Sequence, residues 1–153
     1  MRYIAGIGNY AMGDDGVGLR VIEKILERKL DQGFQVIDIA DNGIKLLSYF
    51  TEETEKILLI DCVEAEKKPG DFVLFSPKDV ESEKMLSGMT THEGDVLKLI
   101  ELAKAVNYPI PPLRVLGIQP ESVVPSMELS DLLASRLDEY VKIALAELNK
   151  DWK

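Results

Sequence analysis

The sequence contains one cysteine and no long apolar run, and each shortage excludes a class of protein. Cys62 is the only cysteine among 153 residues, so no disulfide can form within the chain. This is typical of a protein in a reducing compartment, and we expect a cytoplasmic location. No apolar run approaches the ~20 residues of a membrane span. The opening residues, MRYIAGIGN, also lack the apolar segment and cleavage site of a signal peptide, so none is expected.

Positive charge is also in the minority. The chain has 18 Lys and Arg against 27 Asp and Glu, which gives a formal net charge of −9 at pH 7. Nucleic acids and anionic membranes bind basic surfaces, so we expect neither as a partner. The acidic balance instead permits a metal ion or a basic peptide. The composition is ordinary for a globular protein, and no repeat or linker divides it, so we predict a single domain over residues 1–153.

Hydrophobic periodicity predicts strands that alternate with helices. The expected strands are 2–7, 34–40, 56–61, 71–75 and 113–118, and the expected helices are 16–30, 44–50, 95–106 and 130–148. The connection KKPG before the fourth strand is too short for a helical crossover, so that strand is predicted to be antiparallel and at an edge. The predicted fold is α/β, with a mainly parallel five-stranded sheet and helices on both faces.

A glycine-rich stretch, GIGNYAMGDDGVG at residues 6–18, follows the first strand and precedes the first helix. Its first half fits the relaxed dinucleotide-binding pattern G-x-G-x-x-A, and Asp38 stands at a plausible distance for a ribose. Asp14 and Asp15, however, put negative charge where a pyrophosphate would sit, and the repulsion is strong in a low-dielectric cleft. A nucleotide-binding module therefore remains an alternative to a cation site.

Side chains that can bind ligands follow several predicted strands. In open sheets of this kind, ligands bind beyond the carboxyl ends of the strands. Asp15 follows the first strand, Asp38 and Asp61 end the second and third, and Gln119 follows the fifth. His92 lies in the loop before a helix. Asp15, Asp61 and His92 are plausible ligands for a divalent transition metal with positions left open.

Each of these residues also has a simpler interpretation. Asp15 suits a helix cap, Asp61 suits a strand end before a turn, and His92 suits an exposed loop. Cys62 is expected to face the core on the side opposite to Asp61, and as a nucleophile it would need His92 beside it. The residues by themselves leave these interpretations open.

Four motifs, in order, resemble those of the hydrogenase maturation endopeptidases. They are GIGNYAMGDDGVG, LLIDCVEA, MTTHEGDVLKLI and LGIQPESV, and the resemblance covers residues 3–145. MTTH and LGIQP are most similar to the branch that serves formate-hydrogenlyase-type hydrogenases. The resemblance implies an α/β endopeptidase that removes a C-terminal extension from the precursor of the [NiFe]-hydrogenase large subunit.

The resemblance also implies the roles of individual residues. Asp15, Asp61 and His92 would be the catalytic and metal-binding residues, and the metal would be nickel already inserted into the precursor, with no resident cofactor. Asp38 and Gln119 are second-tier candidates for substrate contact, and Asp38 also for orienting His92. The sequence departs from the family at DIADNG, where relatives often show D-G-G-T or D-G-G-S.

Other kinds of function remain possible at this stage. No G-x-S-x-G or H-E-x-x-H motif occurs, which argues against an ordinary serine or zinc protease. A non-catalytic adaptor of hydrogenase assembly, sensing nickel through the same residues, would bind the precursor without shortening it. The adaptor is the second hypothesis, and the nucleotide-binding module is the third.

Overall fold

Strands of the described residues form one mixed sheet. The computed structural model describes residues 1–77, 90–91 and 93–152. Its strands are β1 (Arg2–Ile7), β2 (Gln35–Ala40), β3 (Lys56–Glu64), β4 (Phe72–Phe75), β5 (Thr90–Thr91) and β6 (Leu113–Ile118). The order across the sheet is β2-β1-β3-β6-β4, and the two-residue β5 pairs with β3.

The sheet is mainly parallel, as predicted. β1 pairs in parallel with both β2 and β3, and β3 pairs in parallel with β6. β4 occupies an edge and runs antiparallel to β6. A connection without a helix cannot return the chain to the starting end of the sheet, so the strand after KKPG has to reverse its direction. The prediction of an antiparallel edge strand is confirmed.

Helices cover both faces of the sheet. They are α1 (Val17–Glu27), α2 (Glu93–Ala105), α3 (Asp131–Ser135) and α4 (Leu137–Leu148), with 3-10 turns at Gly13–Gly16 and Gly43–Tyr49. The prediction of one closing helix over 130–148 is wrong, because the backbone leaves helical geometry at Arg136. The segment predicted as a short helix at 44–50 is a 3-10 turn. None of the described helices has the length and apolarity to span a bilayer.

β3 supplies the centre of two hydrophobic layers because its side chains alternate between the faces of the sheet. Leu58, Ile60 and Cys62 belong to the layer that α1 and α4 cover. The intervening apolar residues of β3 belong to the layer covered by α2 and the turn 43–49. Burial of Cys62 in the core was predicted. By the same alternation, Asp61 lies on the α2 face.

Candidate functional site

The glycine loop after β1 is closed by hydrogen bonds within the protein. The amide of Gly8 donates to the carbonyl of Ala40 at 2.7 Å, and the amide of Asn9 donates to the Asp15 carboxylate at 3.0 Å. The amides of residues 11 to 15 also donate to oxygens of the protein. A phosphate at a glycine loop needs such amides to point at it. The loop is built around a carboxylate instead, which argues against a nucleotide-binding module.

Gly8 allows this close packing. A Cβ at Gly8 would lie 2.1 Å from the carbonyl oxygen of Asp15, and the φ of Gly8 is +149°. Both observations require glycine, because other residues neither fit nor adopt this backbone readily. Gly8, which fits the phosphate-loop pattern in the sequence, therefore allows the turn that carries Asp15 to pack closely against the loop.

Asp15 lies in the 3-10 turn that leads into α1. The turn spans Gly13–Gly16, and α1 then begins at Val17 with no side-chain cap. The interpretation of Asp15 as a helix cap is therefore wrong. Its carboxylate accepts from the amide of Asn9 and is only partly buried. This placement holds the carboxylate at the carboxyl end of β1, where ligands bind in sheets of this kind.

Asp61 is fully buried and lies within β3 rather than at its end. The parallel pairing of β3 with β1 stops at Ile60, but the pairing with β6 continues through Cys62. The predicted strand end at residue 61 is therefore wrong by three residues, since pairing with β6 and then with β5 prolongs the strand to Glu64. The simpler interpretation of Asp61, as a strand end before a turn, falls with it.

The end of β3, where Cys62 follows Asp61, packs against the start of α1: a Cβ at Gly18 would lie 2.1 Å from the carbonyl oxygen of Ile60. Burial raises the pKa of the Cys62 thiol, and the negative charges of Asp61, Asp15 and Asp14 raise it further. The turn Gly13–Gly16, which carries Asp15, also packs against β3, which carries Asp61. The structure therefore brings Asp15 and Asp61 to the same edge of the sheet. The raised pKa also argues against Cys62 as a nucleophile, because the reactive form is the thiolate.

His92 lies outside the described residues, so its convergence with the two carboxylates stays a prediction. The two residues directly before it in sequence are described. Thr91 pairs with Val63 and Thr90 pairs with Glu64 in an antiparallel ladder, just beyond Asp61 along β3. Sequence patterns did not indicate this short strand, because two threonines in a polar loop carry no periodicity.

Asp38 is held by a tyrosine that the sequence analysis did not single out. The hydroxyl of Tyr10 donates to Asp38 at 3.1 Å, and the amide of Ala40 donates to the other carboxylate oxygen at 2.9 Å. Burial, then the charge and hydrogen bond of Asp38, raise the pKa of Tyr10 to about 12. Asp38 is exposed at the carboxyl end of β2, so it remains accessible to a substrate. Its role in substrate binding stays a prediction.

Gln119 is buried and uses both atoms of its amide group. Its side-chain oxygen accepts from the amides of Ala65 and Lys67 at 2.8 and 3.2 Å. Its side-chain nitrogen donates to Glu64 at 2.7 Å. These contacts fix the chain between β3 and β4, a role that the sequence did not indicate because the partners lie more than fifty residues away. The predicted substrate contact of Gln119 stays a prediction.

The described residues do not by themselves form a complete metal site. No group of three or more His, Cys, Asp and Glu side chains in the described part of the chain is arranged to hold a metal ion. Two carboxylates at one edge can supply oxygen ligands, and a third ligand must come from elsewhere.

Comparison with known proteins supports a single family. Residues 19–147 match a family model described as hydrogenase maturation protease, HycI. A hydrogenase expression/formation protein, HupD, of Rhodobacter capsulatus is 27% identical over 147 residues, which cover 95% of this chain and 70% of that protein.

Two solved structures are similar to this chain in both fold and sequence. A hydrogenase 2 maturation peptidase from a Thaumarchaeota archaeon is 30% identical with a TM-score of 0.69, covering 98% of this chain and 99% of that chain. The [NiFe] hydrogenase maturation protease HybD of Thermococcus kodakarensis is 27% identical with a TM-score of 0.75, covering 97% and 100%. The predicted fold and family resemblance are confirmed, and neither the adaptor nor the nucleotide-binding module is favoured.

Proposed function

Because this chain belongs to the hydrogenase maturation protease family, we propose that it removes the C-terminal extension from the nickel-loaded large-subunit precursor of a [NiFe] hydrogenase. The chain is an endopeptidase of hydrogenase maturation by virtue of its family. The finer proposal is supported by one observation above others: the turn that carries Asp15 and the start of α1 pack against β3 beside Asp61, so closely that a Cβ at Gly18 would lie 2.1 Å from the carbonyl oxygen of Ile60. Residues 1–153 would act as one protease domain, in the cytoplasm, on a precursor of the formate-hydrogenlyase type.

Nickel enters this proposal as part of the substrate. Asp15 and Asp61 would supply oxygen ligands and His92 a nitrogen ligand, a set that nickel accepts readily. A precursor without nickel would lack the ion that aligns its C-terminal segment with these ligands. The site would thus check that nickel has been inserted before the extension is removed.

The cleavage step would use the same residues. Nickel held with the substrate would polarise the scissile carbonyl or lower the pKa of a bound water. A carboxylate of the site would then accept the proton of the attacking water. Asp38, fixed by Tyr10 at the end of β2, is proposed to contact the substrate or orient His92. Gln119, directly after β6, is proposed to contact the substrate. Its amide group also holds the chain between β3 and β4 in place.

The direct test follows the mass of the precursor. A nickel-loaded large-subunit precursor is incubated with the protein, and the precursor is analysed by intact mass spectrometry. The wild type is expected to remove one defined C-terminal peptide, and Asp15→Asn is expected to lose this activity. Asp138→Asn is the matched control. It makes the same chemical change but removes only an exposed salt bridge with Arg28, at the end of α1 away from Asp15.

Each outcome decides between the hypotheses. The proposal is supported if the precursor loses its C-terminal peptide with the wild type and with Asp138→Asn but keeps it with Asp15→Asn. An unchanged precursor that nevertheless stays bound would favour the adaptor. A nickel-free precursor is expected to remain intact, and cleavage of it at the normal rate would refute the proposed role of nickel.

A further inference from the structure

Asp14, the neighbour of Asp15 in sequence, has a role that neither the motif nor the proposed function explains. Its side chain is 0% exposed. One carboxylate oxygen accepts from the amides of Glu121 and Ser122, at 2.9 and 3.0 Å, and the other accepts from the amide of Ser130 at 2.7 Å. Hydrogen bonds to a charged acceptor are roughly twice as strong as neutral ones. Asp14 therefore binds a segment more than a hundred residues away in sequence.

This segment, residues 120–130 between β6 and α3, will be called the strap. Backbone hydrogen bonds also join it to the loop that precedes Asp15. The amide of Asp14 donates to the carbonyl of Ser122 at 3.1 Å, and that of Gly13 donates to the carbonyl of Ser126 at 2.9 Å. The amide of Ser126 in turn donates to the carbonyl of Ala11 at 2.9 Å, and Ser126 forms a parallel β-bridge with Met12. The strap thus follows the loop of Asp15 along its length.

The strap presents apolar side chains to the outside, although its backbone is tightly held. Val123, Val124 and Met127 are 44%, 52% and 63% exposed. Apolar side chains scattered singly over a surface need no explanation, but three exposed ones within five residues of a held loop are a candidate contact surface. The backbone of the strap at Val124 lies against the turn of Asp15, since a Cβ at Gly13 would stand 3.2 Å from the carbonyl oxygen of Val124. A peptide that reaches the site would therefore pass close to these side chains.

Arg20 adds a second connection between the strap and the site. It extends from α1 to donate to the carbonyl of Met127 at 2.6 Å, and its guanidinium lies 4.8 Å from the ring centre of Tyr10. Tyr10 in turn donates to Asp38. The strap, the glycine loop and the end of β2 are therefore linked into one surface around Asp15.

We propose that Asp14 is a positioning residue, which holds the strap against the turn of Asp15 so that Val123, Val124 and Met127 contact the precursor during cleavage. This inference rests on the proposed function and deepens it. Asp14 itself touches neither the substrate nor nickel, and its carboxylate acts through the backbone of the strap. Its effect should therefore fall on precursor binding rather than on the chemical step.

The test separates binding from chemistry. Initial rates of precursor cleavage are measured over a range of concentrations of the nickel-loaded precursor, for the wild type and for Asp14→Asn. Asparagine keeps the shape but replaces one acceptor oxygen by a donor, so it cannot accept all three amides. We expect the KM to rise at least about tenfold with the kcat within about twofold, since an added cost in binding alone changes the KM. Asp138→Asn should change neither.

A second variant covers the case in which Asp14→Asn does not fold. Val123→Ser combined with Val124→Ser changes only exposed side chains of the strap, so folding is not at risk. It is expected to raise the KM in the same way, by roughly tenfold, because it removes the apolar contact directly. Circular dichroism at the assay temperature establishes that each variant is folded.

The outcomes distinguish this inference from the proposed function. If the wild type cuts the precursor but the valine variant keeps the KM of the wild type, the strap is not a contact surface and the inference is wrong. A fall in kcat alone for Asp14→Asn would also overturn it, since Asp14 would then act on the chemistry through Asp15. A wild type that leaves the nickel-loaded precursor intact refutes the proposed function, and this inference with it.

Discussion

Replacing Ala40 by glycine should stabilise the protein, although glycine usually destabilises. Ala40 ends β2 with a φ of +48°, the left-handed region that costs a residue with a Cβ roughly 1–2 kcal/mol. Glycine loses more backbone entropy on folding, by about 0.5–1 kcal/mol. The difference predicts that Ala40→Gly raises the free energy of unfolding by about 0.5–1 kcal/mol. For a chain of this size, the melting temperature should rise by about 1–4 °C.

The hydrogen bonds at this position should survive the substitution, because only the backbone of Ala40 takes part in them. Its carbonyl accepts from Gly8, and its amide donates to Asp38. Urea denaturation, followed by circular dichroism and by the fluorescence of the single tryptophan, measures the change. Ala134→Gly, in the exposed face of α3, is the matched control and should destabilise by about 0.5–1 kcal/mol. If both variants destabilise equally, the argument from backbone conformation is refuted.

Two further sites carry predictions about stability, pH and reactivity. Arg114 donates to buried Glu147 at 2.5 Å, and Arg114→Ala should lower the free energy of unfolding by about 2–3 kcal/mol in urea denaturation at pH 7. Burial raises the pKa of Glu147, but hydrogen bonds from Arg114 and Lys150 outweigh it and lower the pKa overall. A depressed pKa stabilises the fold above the unfolded value of about 4.3, and this stability is lost as the pH falls further. Glu147→Gln should therefore lower the free energy of unfolding at pH 7 and make that free energy fall less steeply as the pH is lowered. An unchanged dependence on pH in acid would contradict this assignment. Burial, and then Asp61, raise the pKa of Cys62, so an alkylating reagent at pH 8 should modify the thiol many times faster in urea than in the folded protein. Equal rates in both conditions would show that the thiol is accessible.

Local patterns in the sequence were sufficient for most of the architecture. The strands that pack on both faces are continuous apolar runs, and the apolar spacing of α1 matches one buried face of a helix. The direction of β4 followed from the length of one connection. Each of these features depends on neighbouring residues or on a general rule of chain geometry, so a single sequence contains the information.

The edge of the sheet that carries the site was also predictable, but the partners of its polar residues were not. Asp15 and Asp61 were placed together because parallel strands share one carboxyl edge. In the sequence Asp14 indicated only negative charge in the glycine-rich stretch, whereas in the structure it accepts three amides of the strap. Both atoms of the Gln119 amide group hold the chain after β3, which the sequence did not indicate, and its substrate contact stays a prediction.

The difference has a physical reason. The type of an element depends on the periodicity of nearby side chains, so the sequence alone determined the five longer strands, the main helices and the edge at which ligand-type residues gather. A buried carboxylate needs donors wherever the fold can provide them, and those of Asp14 come from residues 107 to 116 positions away. Only the tertiary structure decides which amides reach it, because the loops meet only after the sheet has formed.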